Sequence, residues 1–465
     1  LAISPFGIDK HRIPSMSKPV FTHTQDQLKQ IAQDMLRFAR EKGASDAALE
    51  ISEGGGLSIS VRKGKIETIE QNRDKGIGIT VYIGQRRGNA STSDFSEQAL
   101  RDSVDAAYNI ARFTAEDDCA GLPEADLLEM APRDLKMCYP WLVTAEEAIE
   151  LAKRTEAAAF AVDKRITNSE GASVHAQQSH FVAANSRGFM GGYPVSRHTI
   201  SVAPIAGRGA KMQRDDWYSS HRNAKKLAEP EAIGRYAAER ALAKLNARKL
   251  DTRKCPVLFE APLAAGLLGA LVQATSGGAL YRKSSFLLDS LGTQIFPSHI
   301  QVQEDPHVIG AVGSSPFDDE GVKTQKRNIV TDGVLQGYFL STYSARKLGM
   351  QTTGNAGGSH NLSLTSSLTK RADNFVGMLK KMGTGLLVTE LMGQGVNYVT
   401  GDYSRGASGY WVENGVIQYA VEEITIAGNM REMFRQIAAV GSDSLIRGSK
   451  QTGSILIESM TIAGS

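Results

Sequence analysis

Cysteine is scarce in this chain. Three thiols occur in 465 residues, Cys119, Cys138 and Cys255. An odd number without a Cys-x-x-Cys spacing points neither to a disulfide frame nor to a thiolate zinc site. Unpaired thiols fit a reducing compartment, so a cytoplasmic location is expected. Neither sign of charge is in excess: 53 basic residues face 50 acidic ones, a net +3. That balance gives no electrostatic reason for a nucleic-acid partner. The short clusters Arg62-Lys63 with Lys65, and Arg86-Arg87, read as solvated turns between strands. No apolar run reaches the roughly 18 residues of a membrane-spanning helix, and Leu1 to Ser15 lacks the apolar core of a signal peptide. Met16 has the character of a natural start, and residues 1–23 are set apart as an N-terminal tail.

What is present is an ordinary globular composition, 41% hydrophobic and 22% charged. It suffices for about two or three domains whose cores need neither disulfide nor metal. Residues 24–42 read as an amphipathic helix, with Leu28, Ile31, Met35 and Phe38 on one face and Gly43 as the stop. Strands follow at 57–61, 66–69, 76–83 and 88–93, then a helix opened by Ser96 with Leu100, Val104, Ala107 and Ile110 on one stripe. A connector spans 114–143, and Thr144 with Glu147 forms a capping box that opens a helix through Val162. Strand-like segments at 166–169, 173–180, 181–184 and 198–203 precede a helix with Pro230 at its first position. From Cys255 onward glycine is dense and strands dominate: 256–259, 384–390, 407–412, 416–419, 422–427 and 454–457. Asn414-Gly415 makes a tight hairpin turn, and Pro262 opens a short apolar helix. The expected class is α+β. An N-terminal region at 24–250 (units 24–113 and 144–250) holds an antiparallel sheet with flanking helices, and 251–465 forms a β-rich domain of large mixed sheets.

A search for chemistry returns little. The nine histidines are His11, His23, His175, His180, His198, His221, His299, His307 and His360. None is followed by glutamate or stands four residues from another, so no helical zinc pair exists. His175 and His180 are an odd number of residues apart in a strand pattern, which puts them on opposite faces. Ser344-Ala-Arg-Lys347 matches a Ser-x-x-Lys pattern without its companion motifs and reads as a surface helix segment. Cys255 reads as core, and Gly383-Thr-Gly385 and Gly393-Gln-Gly395 as tight turns and not phosphate loops. Asp318-Asp319-Glu320 reads as a solvated turn with no cation-binding spacing. No catalytic or metal-binding residue is assigned, and no substrate-binding residue can be named.

One stretch is distinctive. Met382-Gly-Thr-Gly-Leu-Leu-Val-Thr-Glu-Leu-Met-Gly-Gln-Gly395, residues 400–415 and Glu422-Glu-Ile-Thr-Ile-Ala-Gly-Asn429 resemble the C-terminal signature of the PmbA/TldD family. Residues 281–292, Ser315-Pro-Phe-Asp318, 341–349, Gly354-Asn-Ala-Gly-Gly358, 78–82 and 163–168 are also similar to it, so the likeness covers nearly all of 25–465 and is nearest the PmbA (TldE) type. TldD-type chains of that family carry His-Glu-x-x-x-His on a helix, which binds zinc. The matching region here, Phe259 to Gly269, keeps Glu260 but has no histidine, with Pro262 and Ala264 inside it. The resemblance therefore implies a subunit of a two-chain metalloprotease, inactive alone and without a cofactor of its own. Zinc is expected in a TldD-type partner chain. The implied substrates are small unfolded peptides, in leader-peptide removal and antitoxin degradation, bound in extended form by a chain that shapes the chamber. A homodimer is expected when the partner is absent, with neither nucleic acid nor membrane as a partner. The aromatics Tyr398, Tyr403, Tyr410 and Trp411 beside bare glycines suit a partner surface, though such residues are as often core. Two other readings stand beside this one: a non-enzymatic protein that modulates DNA gyrase or another regulator, and an independent serine-type hydrolase at Ser344 and Lys347.

Overall fold

The computed structural model describes residues 21–464; His11, Met16 and most of the N-terminal tail lie outside them. The N-terminal region runs α1 (Gln25–Lys42), β1 (Asp46–Arg62), β2 (Lys65–Ile83), β3 (Arg86–Thr92), α2 (Glu97–Phe113), α3 (Ala145–Val162), β4 (Ile166–Asn185), β5 (Met190–Gly191), β6 (Pro194–Ala206), β7 (Gln213–Arg214), β8 (Trp217–His221) and α4 (Pro230–Ala243). Three of its helices begin where side chains satisfy the free amides of the first turn: Thr24 with Gln27, and Thr144 with Glu147, form reciprocal capping boxes, and Ser96 caps α2. Gly43, at φ 100°, closes α1 as expected.

These strands make one antiparallel sheet in the order β3-β2-β1-β4-β6-β7, with β5 on β4 and β8 on β6. Because β1 pairs directly with β4, the sheet runs through both halves of the region. Buried residues alternate along β1: Ala47, Leu49 and Ile51 meet α1 and α2, while Leu57, Ile59 and Val61 meet α3. All six are odd-numbered, so these helices cover the same face. Three expectations change here. Segments 66–69 and 76–83 are one strand, because exposed polar residues between them hide a continuous ladder to β1. Segments 166–184 are likewise a single strand. Ile110 is not on the buried stripe of α2 but 49% exposed.

The C-terminal region runs β9 (Arg253–Phe259), α5 (Ala261–Ala274), α6 (Gly277–Tyr281), β10 (Ile300–Asp305), β11 (Arg327–Thr331), β12 (Val334–Leu335), α7 (Thr342–Lys347), β13 (Asn361–Ser366), α8 (Phe375–Met382), β14 (Gly385–Met392), β15 (Asp402–Glu413), β16 (Val416–Asn429), α9 (Met430–Arg435), β17 (Ile437–Val440), β18 (Leu445–Arg447), β19 (Lys450–Thr452) and β20 (Ile455–Ala463). One mixed sheet has the order β12-β11-β10-β13-β19-β18. The other, β16-β15-β14-β9-β20, is closed by the β16–β20 pairing, and β9 and β14 lie parallel within it. The class is therefore α+β with a barrel-like mixed sheet, as the composition shift at Cys255 implies. Asn414 and Gly415, both at positive φ (53° and 75°), make the expected β15–β16 hairpin. Segments 416–419 and 422–427 are one strand, interrupted where Glu423 takes φ 53°. No described helix is long and apolar enough to cross a membrane.

Of the four aromatics at 398–411, Tyr403 and Trp411 are core, while Tyr398 and Tyr410 are half-buried. Trp411 is 5% and Tyr403 4% exposed, both inside the largest apolar core, and the Trp411 indole N–H donates to Glu413 at 2.9 Å. A side chain sealed in a core cannot anchor a partner. Trp411→Ala should lower unfolding free energy by about 3–5 kcal/mol through the cavity it leaves, read by urea denaturation. A loss under about 1 kcal/mol would mean that the ring is not packed as described.

Candidate functional site

The parallel pairing of β9 with β14 ends at Phe259 and Val388. The carboxyl ends of parallel strands leave a crevice, a recurrent place for ligands. Here it is a cleft of about 810 Å³, walled by Trp217, Tyr236, Tyr410 and Tyr419 and floored by Glu260 and Thr389. Glu260 is the residue before α5, and its amide donates to the Val388 carbonyl. Helix α4 supplies the opposing charges from its last turn: Arg240 and, just beyond, Lys244 stand four residues apart on one face.

The charges interlock. Arg240 donates Nη1 to Glu260 Oε1 at 2.7 Å and Nε to Asp215 Oδ2 at 3.2 Å. Lys244 Nζ reaches Asp215 at 3.1 Å, Glu390 at 2.7 Å and the Arg214 carbonyl at 3.2 Å. Ser408 also donates to Glu390. The Arg240 guanidinium lies 5.3 Å from the Trp217 ring centre and 5.8 Å from that of Tyr236. Burial alone would lower the Arg240 pKa, but Glu260 and Asp215 outweigh it and raise it. Burial pushes the Tyr410 hydroxyl up to about 12, so it is a neutral donor in this cleft. Glu260 Oε2 and Thr389 Oγ1 are buried without a hydrogen-bond partner. These are the polar atoms left for a ligand's amide or hydroxyl group to meet.

A zinc ion does not suit this donor set. Glu260, the one carboxylate of residues 259–269, is already held by a guanidinium, its neighbours are the buried side chains of Phe259 and Ala264, and tetrahedral zinc takes several N, S or O donors. Among the described residues no group of three or more His, Cys, Asp or Glu is disposed to hold a metal.

Three models of the PmbA/TldA metallopeptidase match in order: domain 1 at residues 47–111, the central domain at 138–245 and the C-terminal domain at 252–464. The chain belongs to the PmbA/TldD family. It is 49% identical over 423 residues to the metalloprotease PmbA of Escherichia coli O157:H7, covering 91% of this chain and 93% of that one. It is 44% identical to the metalloprotease PmbA homolog of Haemophilus influenzae, covering 97% of this chain and all of that one. A Bacteroides thetaiotaomicron protein described as a modulator of DNA gyrase superposes with a TM-score of 0.89 at 27% identity, over 95% of this chain and 100% of its own.

The family-like segments at 315–318, 341–349 and 354–358 carry internal braces. The buried Glu304 carboxylate accepts from Arg327 (2.8 Å), Asn355 (2.9 Å) and the His360 backbone (2.8 Å). Asp318 is buried too, correcting the solvated turn expected there. It accepts the amides of Glu320, Val322 and Ala356, each at 2.9 Å, while burial and the charge of Glu320 push its pKa up to about 7. Asp319 beside it is exposed. Ser344 corrects the surface-helix expectation. It is 4% exposed, and its hydroxyl closes a capping box with Ser341. Lys347 Nζ pairs instead with Asp117 at 2.8 Å, so serine and lysine make no dyad.

Cys255 is buried and pushed up to about 11, which makes it a poor nucleophile. Gly395 lies so close to the next strand that a Cβ would sit 1.5 Å from the Ser404 carbonyl oxygen, a packing role. His175 and His180 point to opposite faces. His23 and His180 do meet, on the buried Glu53, a pairing that sequence spacing could not reveal. The other six described histidines are each held by a hydrogen bond.

The missed residues of the cleft are Arg240 and Lys244; the four-residue spacing at the end of a helix was the available signal. Arg240→Ala should cost about 3–5 kcal/mol of stability because it strands Glu260 and leaves Asp215 with Lys244 alone, and Arg240→Ala with Glu260→Ala should cost less than the sum of the two single changes. Additive effects in denaturant titrations would show that the pair is not coupled.

Proposed function

We propose that this chain is the non-metal-binding subunit of a two-chain TldD/TldE-type metallopeptidase that trims or degrades small unfolded peptides. The observation that carries the reading is the Arg240–Glu260 pair. At the place where a TldD-type chain would set its His-Glu-x-x-x-His motif, this chain puts Phe259, Glu260 and Ala264, and a guanidinium engages the one carboxylate left. Zinc and the hydrolytic step then belong to the partner. This chain's share is to wall the chamber and hold extended peptide in the aromatic cleft, where the buried Glu260 and Thr389 oxygens accept from backbone amides. It is inactive alone, acts in the cytoplasm, and pairs with itself when no partner is present.

Mixing tests this. The isolated chain should leave an unstructured reporter peptide intact, and addition of a TldD-type chain should produce cleavage together with a mass increase in light scattering. Cleavage by this chain alone, persisting after chelation, would defeat the proposal. Absence of cleavage by the pair would favour a purely modulatory protein.

The serine-hydrolase alternative is disfavoured by the capped, buried Ser344 and the Asp117-bound Lys347. Ser344→Ala and Lys347→Ala should each keep the turnover of the assembled pair near the wild-type rate, with a stability loss of about 1 kcal/mol for the lost half of the Ser341–Ser344 capping box. A nucleophile would lose several orders of magnitude, and a collapse of that size in a folded variant would restore the serine reading.

A further inference from the structure

A second cavity adjoins the first. It measures about 680 Å³ and shares Trp217 and Leu445 with the Glu260 cleft. Two strands at sheet edges border it. β8 is paired only with β6, and β18 only with β19, so among the described residues the outer edge of each lacks a neighbouring strand. Free N–H and C=O groups along such an edge accept an extended chain as an added strand.

The charge on this wall is one-sided. Five cations line it, Arg197, Arg222, Lys226, Arg447 and Lys450, and the one carboxylate is Asp305. Asp305 is already engaged by Lys326 at 3.0 Å and by the His307 amide. None of the five cations has a carboxylate partner among the described residues. Arg222 is 8% exposed and donates only to carbonyls, those of Met137, Ser196, Ala311 and Val312. Arg447 lies over the rings of Trp217 and Tyr218, 4.3 Å from each centre. Lys450 is half-buried beside Gly269, and its ammonium has neither hydrogen bond nor ion pair among the described residues. A net charge of only +3 for the whole chain makes this concentration a local feature. Partly desolvated cations without counter-charge are costly, and a bound anion relieves them.

We propose that this cavity receives an acidic stretch of the extended peptide substrate, whose backbone adds to the free edge of β8 or β18 while its carboxylates meet Lys450, Arg447 and Arg197. The proposal rests on the peptide-subunit reading above and names its substrate class: unfolded peptides with Asp or Glu in clusters. A phosphate backbone would find the same cations but has no use for a strand edge, which favours peptide over nucleic acid. Alternate side chains of an added strand point to one wall, so acidic residues spaced by two would be read best.

The test uses the full chain and two fluorescein-labelled unstructured peptides of equal length, one rich in alternating Glu and one with every Glu replaced by Gln. Fluorescence anisotropy at low salt should show the Glu peptide bound about tenfold more tightly, with the advantage shrinking as salt rises. Lys450→Gln with Arg447→Gln should bring the two affinities together by weakening the Glu peptide. Lys450→Arg should keep the preference, which separates lost charge from lost fold. Equal binding of both peptides to the wild-type chain would overturn the charge assignment and leave the peptide reading standing. A preference that survives the double Gln variant would overturn the site. A single-stranded oligonucleotide that displaces the Glu peptide at lower concentration than unlabelled Glu peptide does would overturn the choice of peptide. Binding of neither peptide, with no cleavage on mixing with the partner chain, would remove the underlying reading as well.

Discussion

A carboxylate set at the end of two parallel strands, in a cleft walled by aromatic rings, needs a positive charge beside it. Arg240 supplies that charge at 2.7 Å, and much else follows from the pairing. The guanidinium satisfies one oxygen of Glu260 and reaches Asp215 as well, while Lys244 one turn on ties Asp215 to Glu390. Two cations at the end of α4, Arg240 and Lys244, thus bind three carboxylates, two of them on the C-terminal region. A helix of the N-terminal region is thereby pinned over the mouth of the closed β-sheet. Such buried pairs are weak as sources of stability but strict about geometry, because breaking one strands a charge.

The same pairing decides what chemistry the cleft can offer. A carboxylate committed to a guanidinium is neither a free general base nor a metal ligand, and Tyr410, pushed up to about 12, stays neutral. What remains is a recognition surface: aromatic walls, two buried acceptor oxygens and, next door, two unpaired strand edges under a row of cations. These are the features that the proposed peptide-binding subunit would use.

Much of this was legible in the sequence where a local rule suffices. Capping boxes at Thr24 and Thr144, the Pro230 start of α4 and the Asn414-Gly415 hairpin depend on residues within a turn of one another. Family membership was legible from short motifs in the C-terminal half. The strands read as fragments are long ladders in which exposed polar residues break the alternation, as at 70–76 of β2, although their backbone pairing continues. The environments of Ser344 and Asp318 were misjudged for a different reason: distant segments create them. Lys347 meets Asp117 from 230 residues away, and Asp318 is roofed by Ala356. Arg240 and Glu260 are only 20 residues apart, but no periodicity links a helix end to a strand end. The cations of the second cavity are drawn from positions 197 to 450, where single basic residues look like solvated surface.

The account turns on the claim that a guanidinium, and not a metal, meets the carboxylate at the head of α5. Elemental analysis of the isolated chain by mass spectrometry, after purification without chelators, addresses it directly. Zinc is predicted far below stoichiometric amounts, and unchanged in Glu260→Ala. Stoichiometric zinc that is lost on Glu260→Ala, or on His-to-Ala change at any of the nine histidines, would contradict the account.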